Sequence, residues 1–135
     1  MREFARDLGL GDAVVFTGFV DKEDLPKFYS AAFLFIFPSL HESYGLPILE
    51  AMACGCPVIT SNVFAMPEMA EDAAILVNPY NINEIVDAMH EVLTNSSLRE
   101  ELRKKGIERA KKFSWRRTAE EYLKVYKEVV EERNT

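Results

Sequence analysis

Glu42 and Glu50 are separated by seven residues, Ser43-Tyr44-Gly45-Leu46-Pro47-Ile48-Leu49, which combine a glycine turn with the start of an apolar helix. The run Phe33-Leu34-Phe35-Ile36-Phe37 just before them reads as a strand, ended by Pro38-Ser39. The first carboxylate therefore falls in a strand-to-helix loop and the second on the first turns of the helix, where open α/β sheets bind ligands. A helix start offers unpaired N–H groups and partial positive charge to a phosphate. Ser43, Tyr44, Gly45 and Leu46 are placed to present those amides, and Pro47 suits the first helical position. Glu50 would repel a phosphate and so suits neutral hydroxyls, such as those of a ribose. Glu42 suits sugar hydroxyls or a developing positive charge. A phosphate cradle between two hydroxyl-binding carboxylates reads as a nucleotide-sugar site. The same residues also fit a capped, solvated helix start in an ordinary α/β protein.

The elements that must position these groups follow from the spacing of apolar residues. Residues 2–9 read as the end of a helix closed by Gly9, and Ala13 to Thr17 as a short strand broken by Gly18. Lys22 to Ala32 reads as a helix with Pro26 in its first turn and Leu25, Phe28, Tyr29 and Ala32 on one face. Phe33 to Phe37 is apolar on both faces, which predicts a central parallel strand. The motif helix spans Leu46 to Cys54, with Gly55 at its C-terminal end. Strands follow at Pro57 to Ser61 and Ala73 to Val77, with a helical turn around Pro67 to Ala70 between them.

Three helices then come without intervening strands. Asn81 and Glu84 form a capping signature for the first, whose face is Ile82, Ile85, Val86, Met89 and Leu93. Ser97 and Glu100 repeat it for Leu98 to Lys112, and Ser114 caps a last helix carrying Ala119, Tyr122, Tyr126, Val129 and Val130. Trp115 is expected to pack under that helix, with the aromatic face partly uncovered in this chain, and Glu131 to Thr135 to fray. The expected fold is α/β: a Rossmann-like parallel sheet of about four strands with flanking helices and right-handed crossovers. Its ligand edge would collect Gly18 to Asp21, Pro38 to Gly45, Ser61 to Ala65 and Asn78.

The chain has 135 residues, 48% apolar and 28% charged, with a net charge of −6, which fits one globular domain over 1–135. A nucleic-acid footprint would need a basic face, and the apolar runs are far shorter than a membrane span. With no leader apparent at Met1-Arg2-Glu3, a cytoplasmic protein is expected, which leaves room for peripheral membrane association. Cys54 and Cys56 flank Gly55 and read as turn or buried thiols; two thiols and a distant His fall short of a metal site, so no metal is expected. His41 sits where it could touch a phosphate or an acceptor, but equally reads as a free loop residue.

The run Phe37-Pro38-Ser39-Leu40-His41-Glu42-Ser43-Tyr44-Gly45-Leu46-Pro47-Ile48-Leu49-Glu50-Ala51-Met52-Ala53-Cys54-Gly55-Cys56-Pro57-Val58-Ile59 resembles the signature of retaining glycosyltransferases of the GT-B fold, family 4. The resemblance extends to Phe16-Thr17-Gly18-Phe19-Val20, Pro67-Glu68, Ala74-Ile75-Leu76-Val77 and Phe113-Ser114-Trp115. It implies a nucleotide-diphosphate-sugar donor and no cofactor. It gives Glu42 the donor sugar, the Ser43 to Leu46 amides the distal phosphate and Glu50 the ribose; Phe19 and Val20 would lie near the base. The leaving diphosphate would assist a front-face displacement.

GT-B enzymes have two domains, and the chain resembles only the latter part of the second, so an N-terminal acceptor domain is a missing partner. Two strands of the donor domain, with their Arg and Lys, are also missing; Lys22 and Lys27 are the only basic residues between Asp7 and Arg99. Their absence would leave an open edge beside Phe33 to Phe37. Either Val14 to Thr17 pairs with that edge, or two chains associate there. The resemblance also leads one to expect glycines before Pro67-Glu68, where this chain has Val63-Phe64-Ala65-Met66, so Glu68 is not counted among the donor ligands. The alternative to an active enzyme is a non-catalytic folded fragment, or a nucleotide-binding module that needs a partner domain. A sugar-nucleotide epimerase or a phosphorylase is a further relative of the same fold.

Overall fold

The β-branched and aromatic runs between the helices pair as β1 (Phe35–Phe37), β2 (Val58–Ser61) and β3 (Ala74–Val77). The computed structural model describes residues 1–133. The strands form a parallel sheet in the order β1-β2-β3, in the register Phe35–Val58–Ala74, Ile36–Ile59–Ile75 and Phe37–Thr60–Leu76. All four residues of β2 are buried, as befits the central strand. Thr60 spends its hydroxyl on β1, donating to the Phe37 carbonyl at 2.8 Å.

The first turns and helices are α1 (Arg2–Asp7), a 3₁₀ turn at Gly11–Ala13, and α2 (Leu25–Ala31). The motif helix is α3 (Leu46–Ala53), followed by α4 (Met66–Ala70) after β2 and by α5 (Ile82–Thr94), α6 (Ser96–Ala110) and α7 (Trp115–Arg133) after β3. One core lies between the sheet and α3 with α4, built on Ile48, Met52, Val58, Met66 and Ala70. The other lies towards α5, built on Ile59, Val77, Ala88, Val92 and Leu102. Gly106 lets α6 approach α3 closely: a β-carbon there would stand 3.2 Å from Met52 Cγ.

Several expectations are corrected. Ala13 to Thr17 is not a strand: Ala13 ends the 3₁₀ turn and Val14–Thr17 run on without sheet pairing, so the sheet has three strands rather than four. β-branched residues favour a strand only where a neighbour supplies hydrogen bonds, and none is supplied here. For the same reason Val14 to Thr17 does not cover β1, which is an edge strand rather than a central one. Its apolarity on both faces is explained by layers above and below: Phe35 and Phe37 pack on the first core, Leu34 and Ile36 on the second.

The inward face of α5 is Ile85, Ala88, Met89 and Val92, whereas Ile82, Val86 and Leu93 are exposed. The cap of α6 is Asn95, whose side chain accepts from Leu98 N at 3.0 Å, rather than Ser97. The Asn81 and Ser114 caps form as expected, accepting from Glu84 N at 3.3 Å and Arg117 N at 3.1 Å. No described residue of α7 is buried, so its aromatic face is uncovered as expected, and Trp115, at 78% exposure, does not pack under the helix. Among the described residues, no helix is long and apolar enough to cross a membrane.

Candidate functional site

The loops after β1, β2 and β3 leave the sheet at the same end, because all three strands run parallel. The loop after β1 carries Glu42 to Gly45 and enters α3 through Gly45, with φ +81° and ψ +40°. Only a residue without a β-carbon takes this left-handed geometry at little cost. Leu46 is the first helical residue and Pro47 the second, one place later than the sequence suggests. Ile48 N donates to Gly45 O at 3.1 Å, and no side chain caps the helix among the described residues. The earlier amides thus meet no side-chain acceptor at the positive end of the helix.

The two carboxylates differ in setting. Glu42 is half-buried, and Ser39 Oγ donates to its Oε1 at 3.4 Å as well as lying 3.3 Å from the His41 carbonyl. Glu50 is exposed on α3 and accepts from the Tyr29 hydroxyl of α2 at 3.5 Å. Burial, and then the Glu50 carboxylate, raise the Tyr29 pKa above its ordinary value. The Tyr29 ring meets Phe35 edge-on at 5.2 Å, which ties α2 to β1.

A second segment braces the loop from the end of β2. Met66 N donates to Val63 O at 3.3 Å, closing a tight turn over Val63 to Met66. Met66 is buried, and its Sδ would lie 3.0 Å from a β-carbon added at Gly45. The Phe64 ring meets the His41 ring edge-on at 4.3 Å. The short α4 that follows is anchored from α6: Arg109 donates to the carbonyls of Glu68 (2.6 Å) and Met69 (2.9 Å) and pairs with Glu71 at 2.7 Å. A cleft of about 250 Å³ runs along α3 beside Glu50, lined by Tyr44, Leu46, Leu49, Phe113 and Trp115 among others.

The structure therefore brings Glu42, Ser43, Tyr44, Gly45 and Leu46 together on one turn, with Glu50 further along the same helix. Phe19 is 89% exposed, and Val20 half-buried, in the segment before α2. Tyr29, Ser39, Phe64 and Met66 contact the site but carry no sequence signal, except Ser39, which ends the strand just upstream. Of the two lysines near the cradle in sequence, Lys27 is engaged by Asp24 at 2.7 Å. Among the described residues no three His, Cys, Asp or Glu side chains are grouped so as to hold a metal ion.

Comparison with known proteins identifies the family and the fold. Residues 1–112 match the family model described as glycosyl transferases group 1. The chain is 41% identical over 112 residues to the O-antigen chain mannosyltransferase B of Escherichia coli, covering 83% of this chain and 29% of that protein. It is 36% identical over 137 residues to the D-inositol 3-phosphate glycosyltransferase of Acidothermus cellulolyticus, covering 100% of this chain and 30% of that protein. Among solved structures, sucrose-phosphate synthase from Thermosynechococcus elongatus superposes with a TM-score of 0.87 at 34% identity, covering 96% of this chain and 33% of that one. The C-terminal domain of a glycosyl transferase group 1 family protein from Francisella tularensis gives 0.73 at 31% identity, covering 82% and 58%. The chain thus spans less than a third of the length of these curated relatives.

Proposed function

The chain belongs to the glycosyl transferases group 1 family, with the fold of a partial GT-B C-terminal domain, and from that membership we propose that it is the donor-binding part of a retaining glycosyltransferase using a nucleoside diphosphate sugar. The observation that carries this reading is the start of α3: an uncapped helix end, entered through left-handed Gly45 and flanked by Glu42 and Glu50. The Ser43 to Leu46 amides hold the distal phosphate and stabilise the charge that builds on the leaving diphosphate. Glu42, anchored by Ser39, orients the sugar and stabilises positive charge at its ring. Glu50, anchored by Tyr29, takes the ribose hydroxyls. Phe19 and Val20 lie towards the base only if their segment settles against donor. No metal or cofactor is required of the protein in this scheme, and its setting is cytoplasmic, with peripheral contact to a membrane where the acceptor is lipid-linked.

A second reading concerns the chain by itself. It spans about a third of its relatives, and the acceptor side of the cleft would come from an N-terminal partner domain. The 135-residue chain accordingly binds donor without transferring sugar. Association of two chains through the open edge of β1 belongs to this reading. A concentration-independent monomer mass in light scattering would rule that association out.

The test is calorimetric titration with UDP, GDP and ADP and with UDP-glucose, GDP-mannose and ADP-glucose. Binding of one nucleotide series, lost in Glu50→Ala, supports the site and names the base. A folded chain that binds none of them refutes it, and sugar transfer by the chain alone refutes the second reading.

A further inference from the structure

Among the described residues two non-glycine positions have positive φ, Phe64 at +53° and Glu71 at +48°. Left-handed backbone is disfavoured for side chains with a β-carbon, and for a bulky aromatic it is an outlier. Glu71 has a local reason: Arg109 and Lys112 hold its carboxylate at 2.7 and 3.7 Å. Phe64 has no such partner, and it stands in the stretch where the resemblance leads one to expect glycines. It is the first inner residue of the Val63–Met66 turn, a place that glycine, asparagine or aspartate ordinarily fills when φ is positive. What the conformation achieves is placement. The ring is carried onto His41, the neighbour of Glu42, while remaining 61% exposed. The same turn sets Met66 against Gly45, so the loop holding Glu42 is contacted on both sides of that carboxylate. Strain of this sort persists where surrounding structure enforces it and gathers at ligand sites.

We infer that Phe64 is a specificity-determining residue of the donor site: its ring, seated on His41, supplies apolar surface to the C–H face of the donor's hexose beside Glu42. The inference rests on the nucleotide-sugar reading above and deepens it. A hexose presents hydroxyls at its rim and C–H groups on its faces. Carboxylates alone bind the rim and leave those faces wet, whereas an exposed phenyl ring on His41, the chain neighbour of Glu42, would remove one of them from water. Holding the ring by a fixed backbone rather than a free rotamer lowers the ordering cost on binding.

The experiment compares wild type, Phe64→Gly and Phe64→Ala by calorimetry with GDP and GDP-mannose, UDP and UDP-glucose, and ADP and ADP-glucose, alongside urea unfolding. The readout is the ratio of affinities for a sugar conjugate and its bare nucleotide. In both variants that ratio is expected to fall about tenfold, the worth of about two C–H groups kept from water, while affinity for the bare nucleotide holds. Phe64→Gly is expected to unfold at higher urea than Phe64→Ala, because glycine alone relieves the backbone; a ring with only a structural role would not lower the sugar ratio in a variant of undiminished stability. An unchanged ratio overturns the role of Phe64 while leaving the nucleotide site standing. Phe64→Gly less stable than Phe64→Ala overturns the strain on which the placement rests. Wild type binding none of the six probes overturns the donor-site reading and this inference with it.

Discussion

Replacing Gly45 by alanine probes the site loop and its brace at once. At φ +81° an alanine must adopt left-handed backbone, which costs about 1–2 kcal/mol. Its methyl would also be driven into the Met66 thioether, whose terminal carbon lies closer still than the sulfur at 3.0 Å. Met66 is 1% exposed, so its side chain cannot swing into solvent and must push on the core around Ile48 and Met52. Overpacking of that kind costs about 1–3 kcal/mol. The two effects together predict a loss of about 2–5 kcal/mol, a large share of the stability of an ordinary domain. Urea unfolding followed by circular dichroism measures it, with Met66→Ala and the double variant completing a cycle. Met66→Ala alone should cost about 2–5 kcal/mol by leaving a cavity. In the double variant the alanine methyl enters that space, so the combined loss should fall short of additivity by about 1–3 kcal/mol. Additive losses would show that Met66 does not brace Gly45, and a Gly45→Ala loss under about 1 kcal/mol would refute the left-handed entry to α3.

Other consequences follow from single contacts. Arg109→Met removes the donors to the Glu68 and Met69 carbonyls and the partner of Glu71, and should cost about 3–6 kcal/mol in urea unfolding, since each of the two charge-assisted bonds is worth about 1.5–3 kcal/mol and the partly solvated Glu71 pair adds little; a loss under about 1 kcal/mol would show that α4 holds without it. Asn95→Ala should cost about 1 kcal/mol as the loss of a cap, whereas Ser97→Ala should change stability by less than about 0.5 kcal/mol; the reverse order in thermal melts would return the cap to Ser97. Burial, with Cys54 nearby, pushes the Cys56 thiol up to about 11 from an ordinary value of 9.0. The folded state therefore keeps this proton where the unfolded state has lost it, and stability should fall as pH rises from about 9 to about 11. Comparing urea midpoints of wild type and Cys56→Ala across that range isolates the effect, and parallel pH profiles would contradict it. At pH 8 iodoacetamide should label the half-buried Cys54 well before the buried Cys56, and equal labelling would show that Cys56 is open to solvent.

Much of the site was legible because its signals are local. The apolar spacing of Leu46 to Ala53, the glycine before it and the carboxylates around it specify a loop-to-helix turn without reference to any distant residue. The cap at Asn81 is of the same kind: an amide side chain reaches the N–H three residues on, wherever the helix packs. Where two such signals lie close together, as at Asn95 and Ser97, position alone does not choose between them; the chain enters the helix two residues earlier and Asn95 prevails. Val14 to Thr17 failed as a strand because a strand needs a neighbour, and β-branched residues say nothing about whether one is there. The stripe of α7 with Trp115 is uncovered; periodicity reports which face could be buried and not whether anything buries it.

By itself, then, the sequence determined the α/β alternation and the motif turn with Glu42 and Glu50. Each is written in dihedral preferences, caps and spacings that act over a few residues. Only the tertiary structure decided that Val14 to Thr17 leaves the edge of β1 open, that Arg109 anchors a helix 40 residues away in the chain, and that Met66 and Phe64 reach back to Gly45 and His41. Those outcomes depend on which surfaces meet when the layers close. Contacts between residues far apart in the chain are fixed by shape and volume, which leave no periodic trace in the order of amino acids.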